Sequence, residues 1–160
     1  MNWLSDHASE IIAVCALVFT IWQTRVQRLH NRISVKPHLF MFTQKDKFKN
    51  SARIQVLFTN NGLGPAFINK FQVFLNGQES EPKIAVDAVL GILTNNSAHT
   101  ILGEDCAMAQ NEVKIILSVA FTTDSWQEIE LIEKKINQLD LLVHYSSAYG
   151  QKYVLDTRSN

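Results

Sequence analysis

The apolar segment from Ile11 to Trp22, IIAVCALVFTIW, constrains this chain more than any other part of it. It carries no charge, and Thr20 is its one polar side chain. The wider run from Ala8 to Thr24 contains one charge, Glu10, and as a helix it covers about 25 Å of a hydrocarbon core about 30 Å thick. We therefore predict a single membrane-spanning helix. Its core consists of Ile11, Ile12, Val14, Leu17, Val18, Phe19, Ile21 and Trp22.

Other structures with an apolar run of this length fit the sequence less well. A cleaved signal peptide has positive charge before the run, whereas here Asp6 and Glu10 precede it and the cationic residues follow. An interfacial helix needs a polar face, which this run lacks. A buried helix of a soluble domain has the same length, but Trp3 and Trp22 flank the run, where indoles favour the headgroup region. The spanning helix is the preferred prediction.

The residues after the apolar run predict its orientation. Four cationic side chains follow within a dozen positions or so: Arg25, Arg28, Arg32 and Lys36. Because positive charge is retained on the cytoplasmic side, we predict that the N-terminus is outside and residues 25–160 are inside. The same four side chains are predicted to contact anionic membrane lipid.

The composition favours one cytoplasmic domain and argues against a nucleic-acid partner. The chain has 160 residues; Lys plus Arg and Asp plus Glu both total 15, so the formal net charge is zero and no basic field attracts nucleic acid. Cys15 lies in the predicted span and Cys106 is alone after it, so no disulfide is expected within the domain. We predict an N-terminal segment and span over 1–24, a basic helical stalk over 25–33 and one domain over 34–160.

Alternating apolar residues predict that this domain is mainly β. Seven strands are predicted, at 35–43, 53–59, 67–75, 98–102, 112–121, 139–146 and 151–156. In the fifth of them, Val113, Ile115, Leu117 and Val119 are predicted to share one face.

Two helices are predicted between the strands. Apolar residues at helical spacing after a proline predict one from Pro82 to Leu93, ended by Asn95-Asn96. A second is predicted from Ser125 to Gln138, where Ser125 and Glu128 fit a capping box. Its apolar stripe is Trp126, Ile129, Ile132 and Ile136. The order of elements predicts a two-sheet antiparallel sandwich of immunoglobulin-like type with two helical inserts.

A glycine-rich segment, NNGLGPA at 60–66, separates two predicted strands. Asn61, Gly62 and Gly64 tolerate positive φ, and Pro65 fixes φ before the next strand, so a structural turn is predicted. Consecutive backbone N–H groups in such a turn can also form an anion-binding nest. Neither a helix N-terminus nor a P-loop lysine follows, so the structural turn is the preferred prediction.

The sequence predicts no catalytic residue, no metal site and no cofactor. The five histidines occur singly, and there is no C-x-x-C or H-E-x-x-H pair. Glu104, Asp105 and Cys106 are adjacent, but a thiolate nucleophile needs a paired base, so a solvated loop is predicted there. The chain is therefore predicted not to be an enzyme.

Three segments together carry a resemblance: HNRISVKPHL at 30–39, NNGLGPAFI at 60–68 and HYSSAYGQKYVL at 144–155. In these segments the chain is similar to a widespread group of small bacterial inner-membrane proteins with one N-terminal helix and an immunoglobulin-like β-sandwich. The resemblance implies a bacterial source and the topology predicted above. It implies no catalytic residues.

Two functional classes remain open from the sequence. The first is a non-enzymatic interaction module, held at the cytoplasmic membrane face, that binds a protein partner or self-associates. The second is a ligand-sensing membrane effector of the antiphage-defence type, in which the sandwich binds a small molecule and the helices cluster. A convergent pocket favours the second class, and a flat protein-binding surface favours the first.

Overall fold

The computed structural model describes residues 7–91, 93, 97–100 and 106–158. The chain divides into two compact units, with residues up to Val35 in the first and residues from Lys36 onward in the second. The first unit is one helix, α1, from Ala8 to Ser34, and none of its 27 residues is buried. This helix is long and apolar enough to cross a membrane. The predicted stalk therefore continues the helix and does not interrupt it.

The second unit is a sandwich of two antiparallel sheets, as predicted. In the described part of the chain its elements are β1 Leu39–Lys47, β2 Ala52–Asn60, β3 Ala66–Leu75, β4 Gln78–Ser80, α2 Pro82–Leu90, β5 Ser97–His99, β6 Cys106–Met108, β7 Val113–Phe121, α3 Trp126–Ile136, β8 Leu139–Ser146 and β9 Lys152–Asp156. One sheet has the order β1-β2-β7-β5 and the other the order β4-β3-β8-β9, with β6 also paired to β3.

The core lies between the sheets and under the two helices. Phe58, Ile68 and Val143 are fully or almost fully buried near one end of the sandwich, where Met108 also packs. Toward the other end, the buried faces of α2 and α3 pack on the inner side of β2 and β7. The predicted stripe of α3 is buried at Ile129, Ile132 and Ile136, whereas Trp126 at its start is exposed.

Several predicted boundaries are corrected by the structure. The first strand begins at Leu39 and not at residue 35, and it continues to Lys47, past its predicted end at residue 43. Helix α2 ends at Leu90, because Gly91 leaves the helical region with φ of 55°. Strand β5 covers only the start of the predicted strand at 98–102; residues 101–102 and Asn95-Asn96 lie outside the described residues. Strands β4 and β6 are additional.

The face predicted for the fifth strand is wrong because β7 contains a bulge. Val56 pairs with Leu117 and Leu57 pairs with Ile115, so Ile116 is an extra residue. A one-residue insertion reverses the side-chain alternation that follows it. As a result Ile116 and Leu117 are both buried, while Val113 and Ile115 lie on the opposite, solvent-facing side.

The predicted capping box of α3 forms only in part. The Ser125 hydroxyl accepts a hydrogen bond from the Gln127 N–H at 3.2 Å, which caps the helix as predicted. The Glu128 carboxylate, however, accepts from the Thr123 hydroxyl. That hydroxyl in turn accepts from the Ser125 N–H at 3.1 Å, so Thr123 takes the place predicted for Glu128.

Candidate functional site: the outer face of the four-stranded sheet

Every side chain predicted to form the core of the span is exposed along α1: Ile11, Ile12, Val14, Leu17, Val18, Phe19, Ile21 and Trp22. The two threonines of this region satisfy their hydroxyls within the helix. Thr20 donates to the Ala16 carbonyl at 2.7 Å, and Thr24 donates to the Thr20 carbonyl at 2.8 Å. The helix surface therefore has the properties that a lipid-facing segment requires, because polar groups bonded internally are tolerated in hydrocarbon.

The four cations predicted to set the topology and to contact lipid belong to different units of the structure. Arg25, Arg28 and Arg32 are exposed in the C-terminal part of α1. Lys36 instead belongs to the second unit, where its ammonium lies 5.6 Å from the centre of the Tyr153 ring. At that distance a cation–π attraction holds Lys36 on the sandwich.

The glycine-rich turn is organised by Asn60, the fully buried residue that ends β2. Its side-chain oxygen accepts from the N–H groups of His38 and Gly62, both at 3.1 Å. Its side-chain nitrogen donates to the carbonyls of Gly64 at 2.8 Å, Met108 at 3.1 Å and Ala109 at 3.2 Å. One side chain thus ties together the start of the domain, the turn and the segment after β6.

The same turn leaves no anion nest at Asn61, Gly62 and Leu63. The Asn61 N–H donates to the His38 carbonyl at 2.8 Å, and the Leu63 N–H donates to the Lys36 carbonyl at 3.1 Å. Because the Gly62 N–H already donates to Asn60, all three consecutive donors are used inside the protein. This geometry supports a structural turn.

The reason that the turn needs glycine differs from the predicted one. Neither Gly62 nor Gly64 has positive φ. A Cβ on Gly62 would instead lie 2.3 Å from the His38 nitrogen and 2.5 Å from the Lys36 carbonyl oxygen, which is far inside van der Waals contact. Two of the segments that carry the resemblance therefore meet here, backbone against backbone.

The third segment that carries the resemblance, residues 144–155, forms the turn between β8 and β9. The Ser147 hydroxyl, buried in the turn between β8 and β9, accepts from the N–H groups of Tyr149 and Gln151 at 3.3 and 3.2 Å. Tyr145 stacks on Tyr153 with ring centres 5.4 Å apart. Burial raises the pKa of the Tyr145 phenol. These residues fold the hairpin and offer no nucleophile with an adjacent base.

The prediction of a solvated loop is wrong at Cys106, which lies in a strand and has a close polar contact. Cys106 lies in β6, and the Lys114 ammonium is 2.9 Å from its sulfur and 3.5 Å from the Glu112 carboxylate. The hydrogen bond to Cys106, more than any other contact, raises the pKa of Lys114. Glu104 and Asp105 lie outside the described residues. Within the described part of the chain, no three His, Cys, Asp or Glu side chains are grouped as metal ligands.

A small cavity of about 60 Å³ lies between the two sheets. Its lining is mostly aliphatic and aromatic, including Met41, Phe71 and Leu141, with Thr43, Thr100 and Asn137 as its polar members. Pockets for small-molecule ligands typically measure about 300–1,000 Å³. The cavity has room for a few water molecules and no more.

The most unusual surface of the sandwich is the outer face of the β1-β2-β7-β5 sheet. Cross-strand pairing arranges its outward side chains in four rows. From the end where β1 begins, the rows are Phe40, Thr59 and Val113; Phe42, Leu57 and Ile115; Gln44, Gln55 and Ser118; and Asp46, Arg53 and Ala120. Half of this face is apolar and half is polar.

We define the apolar patch as Phe40, Phe42, Leu57, Val113 and Ile115. Phe40, Val113 and Ile115 are 48%, 50% and 44% exposed. The Phe40 and Phe42 rings are stacked with centres 6.3 Å apart. Leu57 is buried although its side chain points outward, so its neighbours on either strand cover it and the patch is continuous. An antiparallel sheet normally presents polar side chains on its solvated face, so this patch is a candidate binding surface.

The sequence contained only a partial signal for this patch. Phe40 and Phe42 make both faces of β1 apolar, which is unusual for a strand with one side in solvent. Val113 and Ile115 were predicted to share a face with Leu117 and Val119, because the bulge at Ile116 cannot be read from an alternating pattern.

Comparison with protein families gives a match over almost the whole chain. The model of a family described as "Domain of unknown function (DUF8453)" matches residues 3–159. No curated protein matches the chain.

Proposed function

We propose that this chain, which belongs to the DUF8453 family, is a single-pass membrane protein that presents its sandwich as a non-enzymatic interaction domain. We place it in the bacterial inner membrane, with the sandwich on the cytoplasmic side. The observation that carries the proposal is the apolar patch on the outer face of the four-stranded sheet. A sandwich with no partner gains nothing from three exposed, contiguous apolar side chains on a solvated sheet face.

The ligand-sensing alternative has weaker support. It requires a pocket that takes a small molecule, and the cavity between the sheets is several times smaller than such pockets usually are. Among the described residues, no charged side chain lines this cavity to orient a ligand. The surface, and not the interior, is the better candidate for recognition.

We also propose that the sandwich is immunoglobulin-like. In chain order, the sheet β1-β2-β7-β5 corresponds to the A-B-E-D arrangement of that fold, and β4-β3-β8-β9 corresponds to C′-C-F-G. Strand β6 and the two helices are then insertions. The fold suits an interaction domain because its function usually lies in exposed faces, edges and loops.

The test is to purify the tagged full chain from native membranes and to identify co-purifying proteins by mass spectrometry. Val113→Lys places a charge in the patch. Val154→Lys is the matched control, because Val154 is also a strand valine, 55% exposed, on the outer face of the other sheet. We expect Val113→Lys, and not Val154→Lys, to lose the partner. A small molecule retained by both variants, with no protein partner lost, would contradict the proposal and favour a sensor.

A further inference from the structure

Cys106 and Lys114 bring a thiol and an amine from the two different sheets into direct contact. Cys106 lies in β6, which pairs with β3 of one sheet, and Lys114 lies in β7 of the other sheet. We infer that this pair is a redox site. A hydroperoxide oxidises Cys106, and the oxidised sulfur then forms a covalent bond with the Lys114 nitrogen that joins the two sheets. The site involves no partner, so it is independent of the proposed function.

Lys114 points into the space between the sheets, which is unusual for a lysine. Val113 and Ile115, its neighbours in β7, lie on the solvent-facing side, so the alternation of the strand directs Lys114 inward. Its cross-strand neighbour on β2 is Phe58, which is fully buried. The long side chain therefore carries its ammonium toward the opposite sheet.

The ammonium of Lys114 ends at the sulfur of Cys106. It lies 2.9 Å from Sγ, and its other acceptors among the described residues are the Ala107 carbonyl and the Glu112 carboxylate, both at 3.5 Å. A lysine that served only as an ion pair would lie nearest to its carboxylate. Here the sulfur is the nearest partner, and the two atoms need little movement to react.

The sulfur has the two properties that make a cysteine reactive toward peroxide. A cation beside a cysteine stabilises the thiolate, which is the form that peroxides attack. Cys106 is only partly buried, and the side chains of Lys114 and Glu112 are 26% and 36% exposed. A molecule as small as hydrogen peroxide therefore reaches the pair from solvent.

The first reaction is oxidation of the sulfur. The Cys106 thiolate attacks one oxygen of hydrogen peroxide, so that an S–O bond forms, the O–O bond breaks and hydroxide leaves. The sulfur loses two electrons, the peroxide gains them, and Cys106 becomes a sulfenic acid. The hydrogen bond to Cys106 is the main cause of the raised pKa of Lys114, so this loss of the thiolate makes the neutral amine more accessible.

The second reaction is condensation. The Lys114 ammonium gives a proton to solvent, and its nitrogen attacks the sulfenic sulfur. An N–S bond forms and the S–O bond breaks. The leaving hydroxide takes a second proton from the nitrogen and departs as water. In total one peroxide becomes two waters, and the chain loses two hydrogen atoms.

The bond would fasten β7, which carries Val113 and Ile115 of the apolar patch, to β6 of the other sheet. Thiols reverse it. One thiol attacks the sulfur and breaks the N–S bond to give a mixed disulfide, and a second thiol releases Cys106, so two thiols become one disulfide. The pair therefore reports peroxide reversibly.

The test uses the full chain in detergent with Cys15→Ala, so that Cys106 is the one remaining thiol. Trypsin measures the bond, because it cleaves after Lys114 only while that side chain is free. Before oxidation, digestion should release peptide 84–114. After hydrogen peroxide, this peptide should be lost and peptide 84–134 should appear with two hydrogen atoms fewer. Dithiothreitol should restore peptide 84–114.

Lys114→Arg is the matched variant. Arginine keeps a cation beside the sulfur and keeps the trypsin site, but its guanidinium stays charged and does not condense. We expect peroxide to oxidise Cys106 in this variant, detected as an adduct of the sulfenic acid with the 1,3-dione dimedone, while peptide 84–114 is still released. Formation of the longer, dehydrogenated peptide in Lys114→Arg would overturn the inference.

A second measurement on the chain with Lys114 intact guards against a variant that fails to fold. Peroxide added in denaturant should leave the cleavage after Lys114 unchanged, because only the folded sandwich brings the nitrogen to the sulfur. Equal bond formation in the folded and the denatured chain would refute the role of the fold. Oxidation of folded Cys106 to a sulfinic acid, with Lys114 still cleaved, would refute the bond itself.

Discussion

The side-chain oxygen of Asn60 accepts a hydrogen bond from the backbone N–H of His38, 22 residues earlier in the chain, at 3.1 Å. His38 lies just before β1, and Asn60 ends β2, so this contact joins the beginning of the domain to its first turn. The Asn60 side-chain nitrogen also donates to the carbonyls of Met108 and Ala109, so this one side chain holds three distant segments together. A buried amide with all its bonding capacity used inside the protein is a feature of a rigid structural centre.

Replacing Asn60 with alanine should lower the free energy of unfolding by about 3 kcal/mol or more, because it leaves several buried backbone groups without a partner. The measurement is denaturant unfolding of the full chain in detergent, followed by tryptophan fluorescence. Asn61→Ala is the matched control. Asn61 is exposed, and its side chain accepts only one bond, from the Thr59 hydroxyl at 3.2 Å, so its loss should change stability by about 0.5 kcal/mol or less. Equal free energies of unfolding for the two variants would refute the central role of Asn60.

Gly62 and Gly77 should respond to the same substitution by very different amounts. Gly77 has φ of 80° and open space around it, so Gly77→Asn should cost only the strain of a left-handed residue, about 1 kcal/mol, because asparagine tolerates that conformation better than most residues. Gly62→Asn places a Cβ against the His38 nitrogen and should prevent the turn from closing. Thermal melting of both variants makes the comparison. A stable Gly62→Asn protein would show that the backbones can separate without cost.

Asp156 should titrate at unusually low pH. The Arg158 guanidinium holds the pKa of this carboxyl at about 2, through a hydrogen bond of 2.7 Å and a second of 2.9 Å. Because the folded pKa is depressed, the stabilisation is present above the ordinary pKa of 3.8 and is lost as pH falls toward about 2. Carbon NMR of the carboxyl should show this, and Arg158→Gln should return the pKa toward 3.8. An unchanged titration in that variant would exclude Arg158 as the cause.

The chain should behave as an integral membrane protein with its C-terminus in the cytoplasm. Alkaline carbonate should leave it in the membrane pellet, and an alkaline phosphatase fused after Asn160 should be inactive, because the cations that follow the apolar run resist transfer across an energised membrane. Changing Arg25, Arg28 and Arg32 to Gln and adding lysines near Asn2 should invert a fraction of the molecules and activate the fusion. An active fusion on the unchanged chain would place the sandwich outside the cytoplasm.

Much of the architecture follows from local pattern. The apolar run, the capping serine of α3 and the alternation in β8 each fix their element with little help from the rest of the chain. Strands β4 and β6 were missed because three residues are too few to show alternation. The bulge at Ile116 was missed because it depends on which residue of β2 lies opposite, and this pairing is a tertiary property.

Only the part of the candidate site that lies on a single strand could be predicted from the sequence. Phe40 and Phe42 are visible in sequence as apolar residues between the inward-facing residues of β1. The patch as a whole requires the order β1-β2-β7, which brings Val113 beside Thr59 across more than fifty residues of chain. The glycine of the turn was identified correctly, but its reason, a close approach to His38, depends on a segment that the local pattern does not contain.

The contacts of Asn60 also limit how early the sandwich can close while the chain is being synthesised. The helix α1 is complete at Ser34, but the Asn60 amide finds its acceptors on Met108 and Ala109 only after some 75 further residues have been made. At synthesis rates of about 5–20 residues per second, that interval is about 4 to 15 s. A helix that enters the membrane as it is made is therefore anchored before the sandwich can close. On the proposed topology, the domain then completes its folding as a tethered chain beside the bilayer.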